Sequence, residues 1–269
     1  MTIEKKEKKI ILCADDFAMN KEISEGILDL LSLERLSAVS CMTSSPFWIE
    51  HSQQLHFFRK NILVGLHLNL TQGNLFCERP QSISTLITKS YLGTLNKKLL
   101  RKELFSQMEA FLDLFKEPPA FIDGHQHIHH LPYVREVVSE MYHKFMGRGF
   151  VRSVASYSTL NFLLFVKTLI LNMTGAKAST VFFKKNRVPF NSSFLGVRNF
   201  GENDFSYFMK ETLKRSKNGV LIMCHPAAKL SPEHMGDNIK EARVSEYNYF
   251  KSDEFLEDLK NAGLCLKSV

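Results

Sequence analysis

Lys8-Lys9-Ile10-Ile11-Leu12-Cys13-Ala14-Asp15-Asp16 is a short apolar run that opens on lysines and closes on two aspartates. Five apolar residues without alternation suit a strand whose two faces are both buried, as in a parallel sheet. Asn20 then stands where it can cap a helix in which Ile23, Ile27, Leu30 and Leu31 recur at helical spacing. Ala38–Met42 reads as the next strand, so the chain begins as a β-α-β unit.

Phe47–Phe58 reads as helix. Leu63–Leu70 alternates so that Val64, Leu66, Leu68 and Leu70 share one face while Gly65, His67 and Asn69 share the other, a polar stripe expected to face water. Thr71–Ser90 is rich in turn residues, and Leu99–Phe115 has helical spacing that Pro118-Pro119 ends before a strand at Ala120–Asp123. Tyr133–Phe145 is a further helix. Ser153–Asn203 fits the alternation poorly and contains the apolar stretch Leu160–Met173. Regularity returns with a helix at Phe205–Leu213, a strand at Val220–Cys224, a helix at Tyr249–Ala262 and a strand at Leu264–Lys267. The reading is an α/β fold: one domain over residues 1–269, a distorted (β/α) TIM-like barrel with an irregular insertion around 153–203.

Composition agrees with a globular domain rather than a disordered or fibrous chain, at 44% hydrophobic and 23% charged residues. The charged start followed by only five apolar residues is too short for a signal peptide, which implies cytoplasmic residence. Cys13, Cys41, Cys77, Cys224 and Cys265 form no Cys-x-x-Cys pair and read as reduced structural thiols. A net charge of +7, with basic groups at Lys5–Lys9, Lys97–Lys102, Lys184–Arg187 and Lys210–Lys217, suggests acidic partners. No Arg-rich block interleaved with aromatics accompanies it, so nucleic acid is not an expected partner.

Polar residues recur in or just after the proposed strands: Asp15 and Asp16, His67, Asp123, His125 and His127, and His225. Taken singly, a strand histidine is more often a hydrogen-bonded core residue, and an Asp-Asp pair is often a helix cap. Together they are placed where a parallel barrel gathers its active site, at the carboxyl ends of the strands. Asp123-Gly124-His125-Gln126-His127-Ile128-His129-His130 is the most specific signal. As extended chain it would send Asp123, His125, His127 and His129 to one side, a set suited to a divalent metal that keeps an open position for water and substrate.

Four segments carry a family resemblance. Ile11-Leu12-Cys13-Ala14-Asp15-Asp16-Phe17, Val64-Gly65-Leu66-His67-Leu68-Asn69-Leu70-Thr71, Phe121-Ile122-Asp123-Gly124-His125-Gln126-His127-Ile128-His129 and Met223-Cys224-His225-Pro226 resemble, in order, the motifs of YdjC/ChbG-like carbohydrate deacetylases. Arg243-Val244-Ser245-Glu246 matches more weakly. The resemblance implies a distorted barrel that removes acetyl groups from N-acetylated amino sugars with one divalent cation. It implies Asp16, His67 and His125 as metal ligands and Asp15 as general base, and it is compatible with a homodimer. Ala18 departs from the glycine usual after Asp-Asp-Phe, which strains the turn slightly if a positive φ is required there.

Amide hydrolysis by a metal-activated water needs a carboxylate to take a proton and an acid to return one, roles that Asp15 and His225 fit. Asp123 is expected to orient a histidine, His127 to support the site, and Arg243 to pair with a site carboxylate. Imidazole ligation favours zinc or another transition metal over magnesium, with identity open. Two rivals stand beside this reading: a two-metal phosphoesterase, and a catalytically idle carbohydrate-binding protein. Leu160–Met173 is either a core helix or an apolar lid for a lipid-linked or membrane-surface substrate, with Lys184, Lys185 and Arg187 near its phosphate.

Overall fold

The computed structural model describes residues 7–72, 81–155, 175–198, 200, 204–229, 237 and 239–267. Leu160–Met173 lies outside them. β1 (Lys8–Phe17) is buried on both faces, as its unbroken apolar run requires. Ile10, Leu12 and Ala14 pack toward the surrounding helices, while Ile11 and Cys13 join a second, smaller apolar cluster with Ala38, Phe121, Phe194, Leu221 and Met223 inside the curl of the sheet.

The other strands are β2 (Ala38–Cys41), β3 (Leu63–Leu68), β4 (Phe121–Gly124), β5 (Phe150–Val151), β6 (Phe194–Leu195), β7 (Leu221–Cys224) and β8 (Leu264–Leu266). They form one curled half-barrel in the order β5-β4-β3-β2-β1-β7-β6, with β8 paired to the start of β1. Every ladder is parallel. A lone parallel bridge, Val151 with Phe190, brings the segment before β6 against β5. All these strands therefore present their carboxyl ends on one side.

The helices begin where the sequence supplies acceptors. Asn20 caps α1 (Lys21–Ser32) by accepting from the Ile23 N–H, and Asn96 does the same for Leu99 at the head of α4 (Lys97–Phe115). α2 (Trp48–Leu55) and α5 (Val134–Met141) fall within expected helices, and α5 continues into a π turn at Tyr142–Met146.

Several expectations need correction. α3 (Ile83–Tyr91) lies within the stretch read as turns, capped by Ser82. The irregular region contains α6 (Ala176–Lys185) and β6, and α7 (Phe205–Arg215) follows it under an Asp204 cap. The single helix expected over Tyr249–Ala262 is the end of α8 (Lys240–Lys251) and a separate α9 (Asp253–Asn261). Ser252 is extended between them, and Asp253 and Glu254 give α9 the acidic first turn favoured by the helix dipole. The polar stripe of β3 faces the interior of the curl rather than water: His67 and Asn69 are buried, and a Cβ on Gly65 would lie 2.3 Å from the Phe121 ring. No helix among the described residues is long and apolar enough to cross a membrane.

One close approach fixes the loop that follows β7. A Cβ on Gly26 of α1 would meet the Ala228 nitrogen at 2.5 Å and the Ala227 carbonyl carbon at 3.0 Å. Both are backbone atoms, held in turn by bonds from the Ala228 N–H to Glu22 and from the Ala227 N–H to Arg243. Gly26→Val is therefore expected to cost about 1–3 kcal/mol through overpacking that no rotamer change relieves. Urea unfolding checks this, and an unchanged midpoint would contradict it.

Candidate metal and active site

Neighbouring strand residues normally point to opposite faces, so Asp15 and Asp16 could not both reach one site from a regular β1. The strand breaks its register there. Three steps on β1, from Ala14 to Phe17, match two on β2, from Val39 to Cys41. Asp16 takes a left-handed φ of 67°, and the extra residue turns both carboxylates into the same cleft. Ala18 has φ of 70°, so the turn does require the conformation that favours glycine, at a cost of about 1–2 kcal/mol for alanine. Its N–H donates to Ser24 Oγ at 3.0 Å, which helps hold the turn.

The cleft, about 440 Å³, lies at the carboxyl ends of the strands and is lined by Asp15, Asp16, His67, His125, His127, His225 and Arg243, among others. These include every residue expected to be catalytic, metal-binding or supporting except Asp123, which is fully buried behind His67. The histidine stretch is not extended, which corrects the expected alternation. It forms a 3-10 turn, His125–His130, with Gln126 and His127 at φ of 52° and 60°. His125 and His127 face the cleft, whereas the His129 Nε2–H donates to the Arg152 carbonyl at 2.9 Å and His130 packs 3.9 Å from the His129 ring. Lys184, Lys185 and Arg187 do not line the cleft; they precede the bridge at Phe190, toward the amino ends of the strands.

Three donor atoms converge. His67 Nε2 lies 3.2 Å and His125 Nδ1 2.8 Å from Asp16 Oδ1. The far nitrogen of His67 is tied to Asp123 Oδ1 at 2.7 Å, and Ser40 Oγ donates to the same oxygen at 2.5 Å. A carboxylate behind an imidazole is how proteins aim the other nitrogen at a metal. Asp16 Oδ2 is taken by Arg243 Nη2 at 2.7 Å, so Oδ1 alone faces the imidazoles, and Arg243 is itself held by Asp237 at 2.5 Å. The set of two imidazole nitrogens and one carboxylate oxygen, with room beside it, fits a divalent transition metal.

Charge agrees with this fit. Burial would lower the His67 pKa, yet the Asp123 charge and the bonds to Asp123 and Asp16 raise it to about 10. Without a cation His67 must carry a second proton to satisfy both carboxylates, and a metal at Nε2 takes the place of that proton. Burial would raise Asp16, but His125 and Arg243 hold it well below the usual carboxylate range. Burial pushes His225 down to about 4 against the opposing pull of Asp16 and Asp15, and burial with the Arg152 charge pushes His127 to about 3.

Arg152 was not found from sequence. Fully buried, it grips Asp15 through Nη1 to Oδ2 at 2.5 Å and Nη2 to Oδ1 at 2.7 Å, and its Nη2 also lies 2.7 Å from Asp123 Oδ2. Asp15, His67 and Asp123 form a second acidic group close enough for an ion, but this guanidinium already joins its two carboxylates. The available signal was position: Arg152 directly follows β5, at the carboxyl end of a strand too short to stand out in the pattern. Arg198 and Glu246 were likewise missed as a buried ion pair, at 2.8 Å.

Two outcomes follow. Alanine at Asp16, His67 or His125 is expected to abolish stoichiometric metal uptake by a folded protein, read by metal analysis after dialysis; full occupancy in all three variants would contradict the site. The metal-free protein is expected to be most stable near pH ~6.5. His67 binds its proton more tightly when folded, so its contribution is full below that pH and is lost as pH rises toward 10. His127 and His225 are held neutral, so theirs is lost as pH falls toward their folded values. Thermal melts across pH check this, and an alkaline decline that survives metal loading would refute the His67 assignment.

Relatives place the chain. A carbohydrate deacetylase of Xenopus laevis is 26% identical over 261 residues, covering 85% of this chain and 84% of the relative. A chitooligosaccharide deacetylase of Yersinia pestis (strain Pestoides F) is 28% identical over 232 residues, 82% of each. A solved structure from Enterococcus faecalis V583, provisionally assigned to cellobiose-phosphate cleavage, has a TM-score of 0.72 at 18% identity over 97% of both chains, a likeness of fold. The family model for YdjC-like proteins matches residues 9–261, and the chain belongs to that family.

Proposed function

We propose that the protein is a metal-dependent hydrolase that removes the acetyl group from an N-acetylated amino sugar. The observation that carries this reading is the convergence of His67 Nε2 and His125 Nδ1 on one oxygen of Asp16, with Asp123 braced behind His67. The deacetylase names of the two sequence relatives support it.

A divalent cation held by Asp16, His67 and His125 supplies a lowered water pKa and a positive charge for the acetyl oxygen. The chain supplies the rest. Asp15 accepts the proton of the attacking water, and Arg152 fixes the carboxylate with two bonds so that it is aimed before substrate arrives. His225 lines the same cleft and delivers a proton to the departing amine nitrogen. Its imidazole is neutral at rest, so it becomes an acid only after taking up a proton from solvent, and the proton count closes when Asp15 releases to solvent the one it took from the attacking water. Arg243 holds the second oxygen of Asp16, so Oδ1 is the oxygen that would hold the cation. Met19, Val197, Phe200, Met223 and Ile239 give the cleft the apolar surface on which a sugar ring can lie.

The test is acetate release by the purified protein from a panel of N-acetylated mono- and oligosaccharides, before and after chelation. The expected result is chelator-sensitive release, with Asp15→Asn retaining metal while slowing turnover by about two to four orders of magnitude. Saccharide binding without acetate release, indifferent to chelator, would replace this reading with that of a carbohydrate-binding protein.

A further inference from the structure

His225 follows β7 on a loop, and among the described residues its backbone is held from outside the metal site. A closed ring of contacts holds it. The His225 backbone N–H donates to Glu246 Oε2 at 2.5 Å. The other oxygen of Glu246 receives Arg198 Nε at 3.1 Å and Nη2 at 2.8 Å. The Arg198 guanidinium lies over the Phe200 ring at 4.8 Å, and Phe200 meets the His225 imidazole edge to face at 5.7 Å. The ring thus returns to its start, gripping His225 at its backbone and at its side chain.

The setting makes this ring stiff. Glu246 and Arg198 are 2% and 4% exposed, so breaking the pair would leave a buried carboxylate without its guanidinium. Arg198 also lies over the Phe205 ring at 4.7 Å, and Nη2 donates to the Ala242 carbonyl at 3.4 Å. Ala242, Arg243 and Glu246 all belong to α8, and the Arg243 carbonyl accepts from Ala227 in the same loop as His225. One helix therefore sets both Asp16, through Arg243, and His225, through Glu246.

We infer that the Glu246–Arg198 pair, with Phe200, positions the His225 imidazole for proton transfer, an inference that builds on the deacetylase reading. Neither charged residue touches the reacting atoms in this scheme; they are positioning residues, and Phe200 is the wall that couples them to the ring. A role confined to stability would leave the His225 ring environment and the turnover of the folded protein untouched.

The experiment combines histidine ring spectra with kinetics on the full chain. In carbon–proton correlation spectra, the His225 signal, assigned by its loss in His225→Ala, is expected to move in Glu246→Gln while that of His51, buried on α2, stays in place. Phe200→Leu creates no unpaired charge and is expected to move the same signal, which covers the case in which Glu246→Gln folds poorly. With acetate release as the readout, Glu246→Gln is expected to lower kcat about 10- to 100-fold, the scale of an ångström of misplacement, with KM changing less than about threefold. In the His225→Ala background the same substitution is expected to cost nothing further. An unmoved His225 signal in both variants, or losses that multiply fully in the double variant, would overturn the inference. If the wild type releases no acetate, the deacetylase reading falls, and the ring spectra alone then decide whether this ring of residues sets His225.

Discussion

Two consecutive carboxylates cannot serve one site from a regular strand, and the arrangement of this protein rests on how β1 evades that rule. Interior residues Ile11 and Cys13 place Asp15 in the cleft by simple alternation. Asp16 would otherwise follow Ile10, Leu12 and Ala14 toward the helices. The extra residue against β2 and the left-handed φ at Asp16 bring it back, so base and ligand candidates stand side by side. The same turn forces Ala18 into a conformation that alanine resists, and Ser24 of α1 braces it.

Having gathered acids at one mouth, the fold must neutralise them without water. Arg152 answers Asp15 and Asp123, Arg243 answers Asp16 and Asp237, and Arg198 answers Glu246. Breaking one such buried pair costs several kcal/mol, roughly 3–5, because it strands the partner's charge. The guanidiniums therefore fix orientation as well as charge. Arg152 and Arg243 take the oxygens of Asp123 and Asp16 that face away from the imidazoles, and Arg198 takes the Glu246 oxygen opposite the one that holds His225, leaving Asp16 Oδ1 as the acceptor on which His67 and His125 close. A divalent cation at His67 Nε2 would take the place of the second proton that the neighbouring carboxylates favour there.

Much of this was legible in the sequence because it depends on strand ends, and strand ends are marked by apolar runs that stop. Asp15, Asp16, His67, His125 and His225 are found that way, and so is the parallel α/β sheet. What was missed has a common cause. Arg152 follows a two-residue strand and Arg198 a two-residue β6, both too short to leave a period in the pattern. Glu246 looks like a solvated helical charge unless the helix is known to lie against the cleft. The stripe on β3 was assigned to water because alternation reports two faces and not which is wet; the inside of a curled sheet accepts His67 only because Asp123 and Ser40 satisfy it. The histidine run defeated period-two reasoning because Gln126 and His127 adopt left-handed φ, which polar side chains tolerate and which no pattern of apolar residues announces.

The proposed chemistry requires one divalent cation held by Asp16, His67 and His125. The most direct measurement is an anomalous difference map from crystals of the full chain soaked in zinc, with data collected on both sides of the zinc edge. One strong peak is expected about 2.0–2.2 Å from Asp16 Oδ1, His67 Nε2 and His125 Nδ1. A peak between Asp15 and Asp123 instead, or no peak in this cleft at saturating zinc, would contradict it.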